Sequence, residues 1–164
     1  MSSASNLFMQ IDGVKGIVTD KQYKQWIAIG HASMGVHSQA SIDNGSGQLN
    51  SSGVHFEDIS IAKALDATST QLVDMVAQGT NVKKVIIALN VKTDNKDNEI
   101  CRWEFENCIF TSHNISLHNS NGIPDEQLAM VFGSVKFQTS MITSEGSTSK
   151  QGPVGWNQVT NTKL

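Results

Sequence analysis

The strongest constraint in this chain is a two-residue rhythm that changes phase. From Lys84 to Lys92, Val85, Ile87, Leu89 and Val91 fall on one side of an extended chain, with Lys84, Ala88, Asn90 and Lys92 on the other. Ile86 is apolar on that second side. Leu7 to Ile11 alternates in the same way. Thr93-Asp94-Asn95-Lys96-Asp97-Asn98 is a turn cluster, so the next run folds back as a hairpin. In it Cys101, Trp103 and Phe105 alternate with Arg102, Glu104 and Glu106. After Asn107 the apolar phase flips to Cys108 and Phe110, and by Ile115 and Leu117 it flips again. Near Gly133 it flips once more: Leu128, Met130 and Phe132 come before, Val135, Phe137, Thr139 and Met141 after. A strand that changes faces needs a bulge or a bend. Long bent strands turn the corners of barrels or cross between packed sheets. The expected fold is therefore mainly β: a closed or nearly closed β-barrel of two packed antiparallel sheets.

One short α-helix interrupts this pattern. Asp66 or Ser69 can cap it, Leu72, Val73 and Val76 form an apolar stripe, and Gly79 suits its C-terminal stop. A solitary helix fits as a plug or cover on a barrel, not as part of a βαβ array. Val36 to Gly53 is different again. His37 to Gln48 has almost no apolar content, so 36–53 is expected to be a long flexible loop, of the kind that is usually functional. The polar segment 144–152 leads into Val154-Gly155-Trp156, a closing strand. At 164 residues the chain is expected to form a single domain over 1–164.

Composition narrows the function. Charged residues make up only 16% of the chain and the net charge is −3, which argues against a general electrostatic grip on nucleic acid or an anionic membrane. Met1-Ser2-Ser3-Ala4-Ser5-Asn6 carries no cation, and Leu7-Phe8-Met9 runs at once into Gln10 and Asp12, unlike a secretory signal peptide. No apolar run is long enough to insert into a membrane. Cys101 and Cys108 stand seven residues apart, on opposite faces of a regular strand unless a bulge intervenes, and are expected to be reduced, buried thiols. Without a signal peptide, the glycosylation sequons at Asn44, Asn50 and Asn114 read as chance matches in an Asn/Ser-rich chain.

No residue pattern adds up to a catalytic site. His31-Ala32-Ser33-Met34-Gly35 is a near miss of the nucleophile elbow, without its first glycine or its strand–turn–helix context. Gly45, Gly47 and Gly53 lack the Gly-Lys-Ser/Thr ending of a phosphate loop. His31, His37, His55, His113 and His118 show no zinc-ligand spacing. Glu104 and Glu106 share a strand face as paired glycosidase acids would, but Arg102 lies beside them and the row reads as a solvated or subunit-facing surface. No enzyme activity, metal or cofactor is expected, which leaves binding or assembly. Trp26-Ile27-Ala28-Ile29 is apolar on both sides, so one side needs cover from beyond the protomer, and the polar loop suits a neighbouring subunit. A buried central strand and an idle loop would account for both features equally well.

Several segments, taken in order, resemble the haemolysin-coregulated proteins (Hcp), the inner-tube subunits of bacterial type VI secretion. Leu7 to Gly16 resembles that family's opening strand and turn, and Trp26-Ile27-Ala28-Ile29 with Ser33-Met34-Gly35-Val36 its second strand. Phe56-Glu57-Asp58-Ile59, Lys63 and Leu65 to Leu72 lead into its single helix, which ends at Gly79. Phe132 to Phe137 and Gly155-Trp156-Asn157 resemble its last strands. The resemblance implies a homohexameric ring with a wide channel. Rings would stack into a tube inside a contractile sheath, with a spike at the tip and a baseplate at the origin, and effector cargo in the lumen. It also implies a protein made in the bacterial cytoplasm and secreted by this apparatus without a signal peptide. Ring stacking is then expected of His37, Asp43, Asn44, Gly45 and Gly47, with the turns at 94–98 and 119–122 as further candidates. The lumen face is expected at His31 and Ser33, and the subunit interface at Trp26, Glu104 and Glu106. The competing reading is a monomeric β-sandwich binding module, for example for carbohydrate. It would need exposed aromatics on one face, and the chain has three Trp and one Tyr.

Overall fold

The computed structural model describes residues 4–93, 96–119 and 122–164. The strands are β1 (Ala4–Ile11), β2 (Ile27–Ile29), β3 (His31–Ser33), β4 (Val36–Ile42), β5 (Leu49–Phe56), β6 (Ile59–Ala64), β7 (Asn81–Thr93), β8 (Lys96–Ile115), β9 (Asp125–Ile142), β10 (Thr148–Asn157) and β11 (Thr162–Lys163), with helix α1 (Ser69–Gln78) between β6 and β7. All pairings are antiparallel. Nine strands form one sheet along the path β11-β10-β9-β8-β7-β1-β2, with β6 joining β9 to β3. Strands β4 and β5 form a separate two-stranded sheet.

The phase flips read from the sequence lie side by side. In β7, β8 and β9 the register aligns Val82 with Cys108 and Phe132, and Val85 with Phe105 and Val135. All six side chains are buried in one core. Positions three apart on a regular strand point to opposite faces, so each strand here takes one extra half-step, and all three take it together. Asn107 supplies the local twist with φ 56°. Its neighbour must be small: a Cβ on Gly133 would lie 3.1 Å from Asn107 Cβ and 3.3 Å from the Glu106 carbonyl. The result is a crease that runs straight across three strands and bends the sheet without exposing its inner face. The third flip is a bulge. The β8–β9 register shifts between Phe110 and Ser112. Ile115 and Leu117 are nevertheless exposed, and the inward position belongs to His113.

Strands β1 and β6 are linked by one stretch of chain. Strands β2 and β3 are consecutive pieces of one stretch, broken at Gly30, whose N–H donates to the Ala62 carbonyl at 2.8 Å. β2 pairs only with β1, and β3 only with β6. The fold is mainly β, in antiparallel sheets with one short helix, as expected; among the described residues no sheet forms one closed ladder, and the stretch 27–33 bridges β1 and β6. Alternation reports strands and bends, but carries no information on whether the last edge meets the first. The second antiparallel sheet is the β4–β5 hairpin, whose Phe56 packs against Phe132 of the main core.

That hairpin corrects the expected loop at 36–53. Every residue of β4 is exposed, yet its backbone pairs in register with β5, from Val36 opposite Phe56 to Ile42 opposite Leu49. Backbone hydrogen bonds alone made the strands, with no buried face to leave an apolar signature. The N-cap of helix α1 is Thr68, between the expected Asp66 and Ser69, and the helix is stopped by Gly79 in the left-handed region (φ 62°), as glycine there allows. Its buried face is Ser69, Leu72 and Met75, while Val73 is exposed, so the stripe is rotated from the expected one.

A second, smaller core forms on the outer side of β1 and β7 from Phe8, Tyr23, Trp26, Ile86 and Ala88. Residues 16–25 fold over this face as a strap. The Gly16 N–H donates to the Gln25 carbonyl at 2.8 Å, and Val18 N–H to the Trp26 carbonyl at 3.1 Å. A Cβ on Gly16 would stand 2.1 Å from the Trp26 carbonyl oxygen, so only glycine fits. Trp26 is therefore covered by its own chain. The apolar surplus at 26–29, which was expected to require a neighbour, is met within the protomer.

Candidate assembly surfaces

The hairpin tip is a built turn. The Asp43 carboxylate accepts from the Gly45 N–H and the Ser46 hydroxyl, each at 2.9 Å, and the Gly47 N–H closes back on the Asp43 carbonyl at 2.7 Å. Those donors, the Gly45 N–H foremost, hold the Asp43 carboxyl below its ordinary range. Gly47 takes φ 68°. Asn44 is exposed at the same tip. At the hairpin base His37 faces His55 across the strand pair, ring centroids 4.8 Å apart. Asp43, Asn44, Gly45 and Gly47 are thus brought together, with His37 well back along the strand. Of the other stacking candidates, the turns at 94–98 and 119–122, Asp94, Asn95, Ser120 and Asn121 lie outside the described residues.

His31 and Ser33 are exposed, and Ala32 and Met34 pack against the main core between and after them. The alternation expected for this stretch holds, so β3 turns one polar face outward.

The charged row on β8 is largely self-compensated. Arg102 Nε donates to Glu104 at 3.0 Å and its Nη1 to Glu99 at 3.3 Å. Lys84 stands 3.9 Å from Glu104. Partial burial opposes ionisation of Glu104, but the Arg102 hydrogen bond and the Lys84 charge outweigh it and hold the carboxyl below its usual range. Glu106 is exposed. Arg102 also lies over Trp26, 5.8 Å from the ring centroid, so the buried indole and the charged row form one layered surface.

Two features escaped the sequence. The first is a groove of about 330 Å³ at the hairpin base, lined by Met34, Val36, Phe56, Val135, Phe137, Val154, Gly155 and Trp156. Val36 and Val154 are each 57% exposed on its rim. Alternation placed several of these residues on strands, but not beside one another. The second is a buried ionic cluster. Lys63 pairs with Glu126, and both side chains are fully buried. Lys63 also reaches Asp66 at 3.1 Å. His113 Nε2 lies 3.0 Å from the other Glu126 oxygen. A carboxylate only accepts, so Nε2 carries the proton of that bond. Burial opposes the charge on Glu126, but hydrogen bonds from Lys63, Ser69 and His113 prevail and hold its carboxyl below the usual range. The cluster ties β6, β8 and β9 to the start of α1. Its signal was a lysine and a glutamate standing in inward phase with Ile59, Ile61, Leu128 and Met130.

Neither cysteine is in a disulfide. Cys108 is buried, and burial pushes its thiol up to about 12, while Cys101 is only half-buried, against the expectation that both are buried. Among the described residues no group of three or more His, Cys, Asp and Glu could hold a metal ion, and no helix is long and apolar enough to cross a membrane.

A family model described as type VI secretion system effector, Hcp, matches residues 8–139. Among curated proteins none matches the chain in sequence. A solved structure described as a type six secretion system protein has a TM-score of 0.91 at 23% identity, covering 98% of this chain and 100% of the other. Hcp1 from Salmonella typhimurium has a TM-score of 0.76 at 20% identity, covering 98% and 99%. The tube-terminating cap of the anti-feeding prophage matches at 0.52 and 15% identity, covering 81% of this chain and 87% of the cap. At these identities the structural likenesses show the fold.

Proposed function

The chain belongs to the Hcp family and is a subunit of the type VI secretion tube; on that premise we propose that it closes into homohexameric rings through the apolar groove at the hairpin base. The rings stack through the hairpin tip, around Asp43, Asn44, Gly45 and Gly47, with His37 nearer the ring body. His31 and Ser33 face the lumen, where the exposed polar side of β3 holds effector cargo without trapping it. Glu104 and Glu106, on the strand whose Arg102 lies over Trp26, flank the contact between neighbours. Sheath contraction expels tube and spike from a baseplate, carrying the subunit from cytoplasm to exterior.

The observation that carries this reading is the groove. It is an open apolar surface, and it sits beside a hairpin that forms a two-stranded sheet of its own. A ring closes when one surface meets a different surface on the next copy under rotation, and an apolar groove at the root of a projecting arm supplies one half of such a contact. Wild-type protein is expected to elute and scatter light as a particle roughly six times the 17.8-kDa protomer, with annular particles by electron microscopy. Val154→Asp should leave a folded monomer. A wild-type monomer at high concentration would overturn the reading.

A further inference from the structure

A cleft of about 720 Å³ opens between the turn after β1 and the outer side of β7 and β8. Lys15 and Lys24 line one wall, Lys83 and Lys84 the other, against the two carboxylates Asp12 and Glu106. A third of the 12 cationic side chains of a chain with net charge −3 thus face one cleft. Among the described residues only Lys84 of the four has an ion-pair partner, Glu104 at 3.9 Å, and Glu104 lies outside the cleft. The walls are held by the backbone. Asp12 N–H donates to the Lys84 carbonyl and Val14 N–H to the Ile11 carbonyl, each at 3.0 Å. Gathering like charges on a fixed frame raises the local potential, and an anion entering it meets donors that need no rearrangement.

We infer that this cleft binds an acidic peptide segment of a separate protein. Four ammonium groups meet carboxylates as point charges. No aromatic side chain lines the cleft, so it offers no platform for a nucleobase. A long polyanion would also meet the net negative charge of the rest of the chain. A short acidic segment senses little beyond a Debye length of about 8 Å.

The test is fluorescence anisotropy with a labelled peptide of about ten residues alternating Glu and Val, beside its Gln counterpart and a single-stranded oligonucleotide. The Glu peptide should bind, the Gln peptide should not, and added salt should weaken the complex. Lys15→Glu with Lys24→Glu should weaken binding about tenfold or more. Lys24→Gln, a milder change at an exposed position, should weaken binding with no shift in melting temperature, which separates charge from misfolding. Unaltered affinity in the variants, equal binding of the Gln peptide, or tighter binding of the oligonucleotide would overturn the inference. Light scattering on the same samples keeps it distinct from the ring reading. Binding by a monomer would leave the inference standing, and rings that bind no peptide would refute it alone.

Discussion

The crease across β7, β8 and β9 and the β4–β5 hairpin are both antiparallel ladders, yet opposite forces shape them. At the crease, Val82, Val85, Phe105, Cys108, Phe132 and Val135 are all buried, and burial dictates where each strand must change face. In the hairpin, every residue of β4 is exposed, and main-chain pairing with a well-tied tip does all the ordering. The crease stabilises the protomer. The hairpin contributes little to it and is free to serve a neighbour. An isolated two-stranded ribbon is marginal in water, so its preservation as a regular ladder fits a role in contact with another chain.

The contrast can be tested by size of effect. Phe105→Ala should lower unfolding free energy by about 3–5 kcal/mol, because it opens a cavity under the crease; a urea titration that found under about 1 kcal/mol would erase the distinction between the two regions.

Polar groups divide the same way. Those of the hairpin are hydrated, whereas Lys63, Glu126 and His113 are shut into the protomer. Glu126→Gln leaves Lys63 with Asp66 as its one remaining anion among the described residues and should cost about 3 kcal/mol. The wild-type carboxyl is held below its unfolded value, so its stabilisation is complete above the unfolded pKa of about 4.3 and is lost as pH falls through the folded value. Denaturant midpoints measured from neutral to acid pH should therefore fall less steeply for the Gln variant. The smallest effect on the protomer belongs to the hairpin tip. Asp43→Ala with Ser46→Ala should leave the melting temperature of the protomer unchanged while reducing ring stacking seen by electron microscopy.

What could be read in advance follows the same line. Flips at Asn107 and Gly133 were legible because each swaps buried residues between faces, and the alternation at 31–34 was legible for the same reason. Strands β4 and β5 were invisible, since Ser38, Gln39, Ser41 and Asn50 carry no contrast between faces and the ladder rests on main-chain bonds. Closure was not legible, because bends alone do not decide whether β2 and β3 complete a circuit. The local cover of Trp26 was not foreseen. Its cover, Tyr23 and the residue 16–25 strap, is local in sequence but follows no strand or helix period. Of the candidate assembly surfaces, the tip residues Asp43 to Gly47 were singled out as part of a polar loop, without the turn that ties them. The groove needed Val154 and Trp156 brought beside Met34 and Phe56, a juxtaposition set by topology alone.

The shared half-step at Val82–Val85, Phe105–Cys108 and Phe132–Val135 makes three distant stretches of chain keep count together. Adding or deleting a single residue in any one of them would throw its remaining inward side chains to solvent while its neighbours stayed put. Variation in length is thereby driven out of these strands and into the connections between them, so related subunits can differ freely in how far their arms reach while the wall they share stays one fixed thickness.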